Sequence, residues 1–108
     1  YHNPKCSNSR GALELIRAAG ITPTIIEYLA TPPSRTELAD LLRRAGLTPR
    51  EAIRTKETLY RELNLAAADD DAILDAMIAH PVLIERPLVV TAKGVRLCRP
   101  PERVLDLF

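Results

Sequence analysis

YHNPKCSNSR, residues 1–10, sets one cysteine among small polar residues, with an arginine four positions beyond it. A structural cysteine is expected among apolar neighbours. Cys6 instead has His2, Asn3, Ser7, Asn8 and Ser9 around it. Helical periodicity starts immediately afterwards. Ala12, Leu13, Leu15, Ile16 and Ala19 recur at helix spacing, so Ser7–Ala19 is predicted to be a helix, with Gly20 at its left-handed exit. Residues 23–29 (PTIIEYL) are rich in β-branched and aromatic side chains and predict a strand. Cys6 therefore falls where a first strand hands over to a helix, and the chain opens as strand–helix–strand.

That placement favours a reactive thiol. A free cysteine, with a pKa of about 8.5, is only a few per cent thiolate at neutral pH. At a helix N-terminus, unpaired N–H groups and the positive end of the dipole stabilise the ionised form. Ser9 can donate its hydroxyl to the same sulfur, and a protonated His2 would add a nearby cation.

The surrounding spacing narrows the chemistry. Cys6 and Ser9 form C-x-x-S, so the neighbouring second thiol of a C-x-x-C site is absent. Cys6 and Arg10 form Cys-x3-Arg, too short for the Cys-x5-Arg loop of tyrosine-phosphatase-like enzymes. No Asp, Glu or His cluster has metal-ligand spacing, and there is no glycine-rich phosphate loop. The pattern describes a nucleophile that takes its second thiol from another molecule.

Beyond the Thr31-Pro32-Pro33 break the chain turns helical. Ser34 to Glu37 form a capping box ahead of Leu38, Leu41, Leu42 and Ala45, with Gly46 as the stop. Thr48 to Glu51 repeat that grammar with a proline at the first helical position. Further helices are predicted over 58–63 and from Asp69–Asp71 to the His80-Pro81 stop. Residues 34–80 thus read as a helical insertion within a single domain spanning 1–108. Pro87–Thr91 and Val95–Cys98 predict a hairpin around Gly94, and Pro100-Pro101 open a last helix. The fold class is α/β, in the order β-α-β, helices, β-β-α.

Composition excludes broad alternatives. Of the 108 residues, 46% are hydrophobic and 27% charged, and the formal net charge of +1 gives no bulk attraction to nucleic acid or a membrane surface. No apolar stretch is long enough to span a bilayer. Two cysteines make no disulfide framework, so a reducing, cytoplasmic setting is expected. The start on a strand end, without Met, suggests that residues are missing ahead of Tyr1.

Most arginines fall on helical faces. Arg54 instead closes the short helix after Pro49, Arg86 precedes Pro87 and a strand, and Arg99 follows the last strand. Guanidinium groups at such edges suit a tetrahedral oxyanion, which they bind bidentately. The Arg86–Pro87 peptide is a candidate cis bond, beside the plainer reading of Pro87 as a strand-start proline. Cys98, at a strand end, is assigned a structural role.

YHNPKCSNSR, PTIIEYL, PPSRTEL, IERPLVVT and VRLCRP together resemble the glutaredoxin-coupled arsenate reductases, across essentially the whole chain. The resemblance implies a thioredoxin-like fold with a helical insertion. It implies that Cys6 attacks arsenate, that Arg54, Arg86 and Arg99 bind arsenate and arsenite, that Pro87 is the cis-proline of the fold, and that His2 and Ser9 tune the thiol. It further implies glutathione as co-substrate and glutaredoxin as the recycling partner, with no bound cofactor or metal and no nucleic-acid or membrane partner. Longer members of the family extend well past the last helix, so a chain ending at Phe108 is expected to be a short or trimmed member. The competing readings are a redox-sensing regulator of the related type that binds RNA polymerase, and a thiol reductase of another substrate. The regulators carry C-x-x-C and need no set of arginines; Ser9 and the three arginines argue against that class.

Overall fold

The computed structural model describes residues 1–108, which fall into two compact units, Tyr1–Thr31 with Arg86–Phe108, and Pro32–Glu85. The first unit begins with an extended segment followed by helix α1, Ser7–Ala18. Ser9, Ala12 and Ile16 are buried on one face of α1, in keeping with the three- and four-residue spacing. Gly20 ends it at φ 80°, and the Ile21 N–H reaches back to the Ile16 carbonyl at 3.3 Å.

Strands β1 (Leu88–Thr91) and β2 (Gly94–Leu97) form an antiparallel hairpin in which Leu88 faces Leu97 and Thr91 faces Gly94. The turn is Ala92-Lys93, and Gly94 follows it at φ 145°, a conformation open to glycine. Two backbone hydrogen bonds extend this layer. The Tyr1 nitrogen donates to Leu88 O at 2.8 Å, and His2 N donates to Ile26 O at 2.7 Å. The N-terminal segment thus lies between β1 and residues 26–27.

Residues 23–29, expected as a strand, form only a single parallel bridge, between Glu27 and His2. The cause is the partner. At Asn3 the chain folds into a turn, so nothing continues the ladder beyond His2. The last helix is likewise a 3-10 helix, Pro101–Leu107, not an α-helix. Its buried residues Val104 and Leu107 are three apart, as a three-residue turn demands. They join Ala12, Ile16 and Cys98 in one apolar cluster. Gly11 makes the contact close: a Cβ there would sit 3.0 Å from Cγ of Pro101.

The second unit is helical: α2 Arg35–Ala45, α3 Pro49–Ala52, α4 Thr58–Glu62 and α5 Asp70–Ala79. The expected caps are made. Ser34 and Glu37 exchange side-chain and backbone hydrogen bonds, as do Thr48 and Glu51, and Asp69 accepts from Ala72 N at 2.9 Å. Leu38, Leu41 and Leu42 of α2 and Ile73, Leu74 and Met77 of α5 are buried. An antiparallel bridge between Ile53 and Ile84 closes the unit, with Arg54 N donating to Leu83 O at 2.8 Å. No helix is long and apolar enough to cross a membrane.

Candidate active site

A tight turn delivers Cys6 to the head of α1. Asn3 and Pro4 are the residue types favoured at its first two positions. Cys6 N donates to Asn3 O at 3.0 Å, and Lys5 N donates to Oδ1 of Asn3, also at 3.0 Å. Cys6 is the N-cap residue of α1, extended at φ −96° and ψ 125°. Its side chain makes no capping hydrogen bond. Ionised, it becomes the acceptor that the first helical turn lacks.

Burial pushes the Cys6 thiol up, but four donors outweigh that effect. The backbone N–H of Ser9, the Arg86 guanidinium, the backbone N–H of Asn8 and the Ser9 hydroxyl together bring its pKa from the ordinary 9.0 down to about 7. A substantial thiolate fraction is therefore present at neutral pH. Ser9 is itself buried, at 1% exposure, so its hydroxyl has few competing solvent partners.

Arg86 enters the site from the segment leading into β1, and the Arg86–Pro87 peptide is cis. Its Nε and Nη1 atoms are buried and have no hydrogen-bond partner. Buried donors are almost always paired, and an unpaired charged group costs still more. Two unpaired guanidinium nitrogens beside a thiolate are donors that an anion with several oxygens can satisfy. Arg99 Nη1 donates to Arg86 O at 3.1 Å, so these two predicted residues are brought together. The Arg99–Pro100 peptide is also cis, which the sequence did not lead us to expect.

The other predicted residues are placed as follows. His2 joins the strand layer through its backbone. Burial holds its imidazole below the usual range, so it is neutral at pH 7 and the cation at the sulfur is Arg86. Arg54 belongs to the helical unit, where it is held by Glu57 at 3.2 Å and Glu85 at 3.9 Å. Cys98 is fully buried, and burial raises its thiol to about 11. No group of three or more His, Cys, Asp or Glu side chains is assembled that could hold a metal ion. Asn3, only 6% exposed, organises the turn; the Asn-Pro pair in the sequence was the signal for it.

Comparison with known proteins gives the family. Residues 1–107 match the model of the ArsC family. The chain belongs to the ArsC family. Over its whole length this ArsC protein is 55% identical to the arsenate reductase of Rhizobium meliloti (strain 1021), covering 79% of that protein. It is 50% identical to the arsenate reductase of Escherichia coli (strain K12), covering 78% of it. Among solved structures, the arsenate reductase from Vibrio cholerae superposes with a TM-score of 0.95 at 50% identity, covering 100% of this chain and 94% of that one. The thioredoxin-like α/β class that the resemblance implied is the fold of this family.

Proposed function

We propose that this ArsC protein is an arsenate reductase that draws its second thiol from glutathione and is recycled by glutaredoxin, in the cytoplasm. The observation that carries the reading is the pairing of a thiol of pKa about 7 with the unpaired, buried Nε and Nη1 of Arg86. Arsenate is a tetrahedral oxyanion, and a guanidinium fork matches two of its oxygens. Arg86 and Arg99 bind the anion. Ser9 tunes the thiol through its hydroxyl, and His2 acts through the main chain by anchoring the segment that leads into the turn.

The Cys6 thiolate attacks arsenic; a sulfur–arsenic bond forms, and one arsenate oxygen departs as hydroxide or water after protonation. Guanidinium groups stabilise the negative charge that accumulates on the oxygens in this step. The thiolate of glutathione then attacks the Cys6 sulfur. As the sulfur–sulfur bond forms, the electron pair of the sulfur–arsenic bond stays on arsenic, which falls from the +5 to the +3 state and leaves as arsenite. Cys6 is left in a mixed disulfide with glutathione. A glutaredoxin thiolate attacks the glutathione sulfur and releases the Cys6 thiolate. Ser9 in the C-x-x-S arrangement fits this dependence on an outside thiol.

Purified protein supplied with arsenate, glutathione, glutaredoxin, glutathione reductase and NADPH should consume NADPH in proportion to arsenite formed. Absence of arsenate-dependent consumption with active auxiliary enzymes would refute the reading.

A further inference from the structure

Three hydrogen bonds around the thiol involve one residue that no part of the chemistry above uses directly. Asn3 accepts the Cys6 N–H through its carbonyl and the Lys5 N–H through Oδ1, each at 3.0 Å. Its main-chain N–H donates to Oγ of Ser9 at 3.4 Å, and the Ser9 hydroxyl is one of the groups that lower the Cys6 thiol. Asn3 is buried, at 6% exposure, although it lies in a connecting turn with exposed Pro4 and Lys5.

We propose that Asn3 is a positioning residue of the active site: its side-chain carbonyl, by accepting the Lys5 N–H, braces the 3–6 turn that sets Cys6 on the head of α1, and its main-chain N–H, held in place by that turn, orients the Ser9 hydroxyl. The physical case has two parts. An asparagine side chain that accepts the N–H two residues on forms an Asx turn, which fixes the backbone where proline follows. Without that acceptor the Lys5 N–H loses its partner, and the peptide planes carrying Cys6 are free to rotate away from the Asn8 and Ser9 amides. The second part concerns the serine. A hydroxyl whose lone pair receives an N–H has its own proton left to give, and the sulfur is there to take it. Asn3 thus acts through Ser9 and the helix head, and touches neither arsenic nor sulfur in the scheme.

Few charged or titratable groups surround the thiol. Arg86 donates to it from the segment entering β1. On its own turn and helix stand Lys5 and Arg10, both exposed, with Arg10 turned onto the Pro4 carbonyl at 2.9 Å, and His2 precedes the turn in its neutral form. Substituting Asn3 changes the charge of none of them.

The inference rests on the proposed function only in taking Cys6 as the reactive group. Its main test therefore uses no arsenate. The rate of iodoacetamide alkylation at Cys6, resolved by peptide mass mapping, is followed against pH in the unaltered protein, Asn3→Ala and Asn3→Ser. Asn3→Ala keeps the main-chain contacts with Cys6 and Ser9 and removes the Lys5 contact; the loosened turn should weaken the donors at the sulfur by about the equivalent of one hydrogen bond to a charged group and move the inflection upward by about one pH unit. Asn3→Ser should fall between the two, because a serine hydroxyl makes the same turn contact more weakly. In the arsenate assay, activity lost by Asn3→Ala at pH 7 should return at about pH 9, where the thiolate forms regardless. An unchanged inflection in a folded Asn3→Ala or Asn3→Ser protein would overturn the proposal. So would a loss of activity equal at both pH values, or failure of both variants to fold, since either makes Asn3 a purely structural residue. Absence of arsenate turnover in the unaltered protein would count against the enzyme reading alone and leave the alkylation result decisive for Asn3.

Discussion

Nη1 of Arg99 donates a 3.1 Å hydrogen bond to the main-chain carbonyl of Arg86. The two arginines are therefore not independent binders: Arg99 fixes the backbone from which the Arg86 guanidinium reaches the sulfur. Arg99→Ala should raise the KM for arsenate about ten- to hundredfold, the range for one or two lost charge-assisted hydrogen bonds. Steady-state kinetics read this directly, and an unchanged KM would remove Arg99 from the anion site.

Arg86→Ala should do more damage, because the same guanidinium both favours the thiolate and offers two unpaired N–H groups. The Cys6 pKa should rise from about 7 toward the ordinary thiol value, and arsenate turnover should drop by more than about a hundredfold. Arg86→Lys should restore part of the pKa shift but little of the turnover, since an ammonium offers charge without the planar fork. Equal recovery of both quantities by lysine would argue against bidentate binding.

Cys6→Ser should reduce turnover by more than about a thousandfold, as expected for loss of a nucleophile. Cys98→Ala should keep the chemistry, because Cys98 lies in the cluster of Ala12, Ile16, Val104 and Leu107. Its effect should appear as a lower Tm, from the cavity left by the sulfur. Comparing the two variants in the coupled assay and in thermal melts separates the roles.

The two thiols should also give opposite pH signatures. Cys6 has its folded pKa lowered from 9.0 to about 7, so its ionisation adds stability as pH rises from about 7 to 9 and that contribution is lost as pH falls back through 7. Cys98 has its pKa raised from 9.0 to about 11, so stability is lost as pH climbs from about 9 to 11. Urea titrations across pH 6–11 on Cys6→Ser and Cys98→Ala should each flatten one limb. If Cys6→Ser leaves the slope below pH 9 unchanged, the thiolate is not stabilised by the fold.

Gly11→Ala sets two known effects against each other. Alanine favours a helix interior by about 1 kcal/mol over glycine. Its Cβ would stand 3.0 Å and 3.2 Å from two ring carbons of Pro101, and overpacking of this kind costs about 1–3 kcal/mol. The net change should be destabilising, by about 1 kcal/mol, visible as a lowered Tm. A raised Tm would mean that the 101–107 segment yields.

Much of this arrangement was written locally in the chain. The Ser34/Glu37 and Thr48/Glu51 boxes and the Gly20 and Gly46 stops depend on neighbours a few residues away, and they formed where the pattern put them. The polar flank and the strand–helix placement likewise announced Cys6 as more than a core residue. What the pattern could not show depended on distant partners. Residues 23–29 have strand composition, yet pairing needs an extended neighbour, and His2 is followed by a turn. The final helix has ordinary helical composition, but packing Val104 and Leu107 together with Ala12 and Ile16 imposes a three-residue period. The Arg99 contact with Arg86, and the unpaired state of Nε and Nη1, join residues that spacing alone cannot bring together.

The helix that carries Cys6 at its head is braced along its flank by residues from the far end of the chain, Pro101 against Gly11 and Val104 and Leu107 in the cluster with Ala12 and Ile16. Wear at the last few residues would thus be felt at the first few. A slackened tail would let the helix rock, and a sulfur held less firmly over its amides would be a duller nucleophile, although every residue that meets the substrate was still in place.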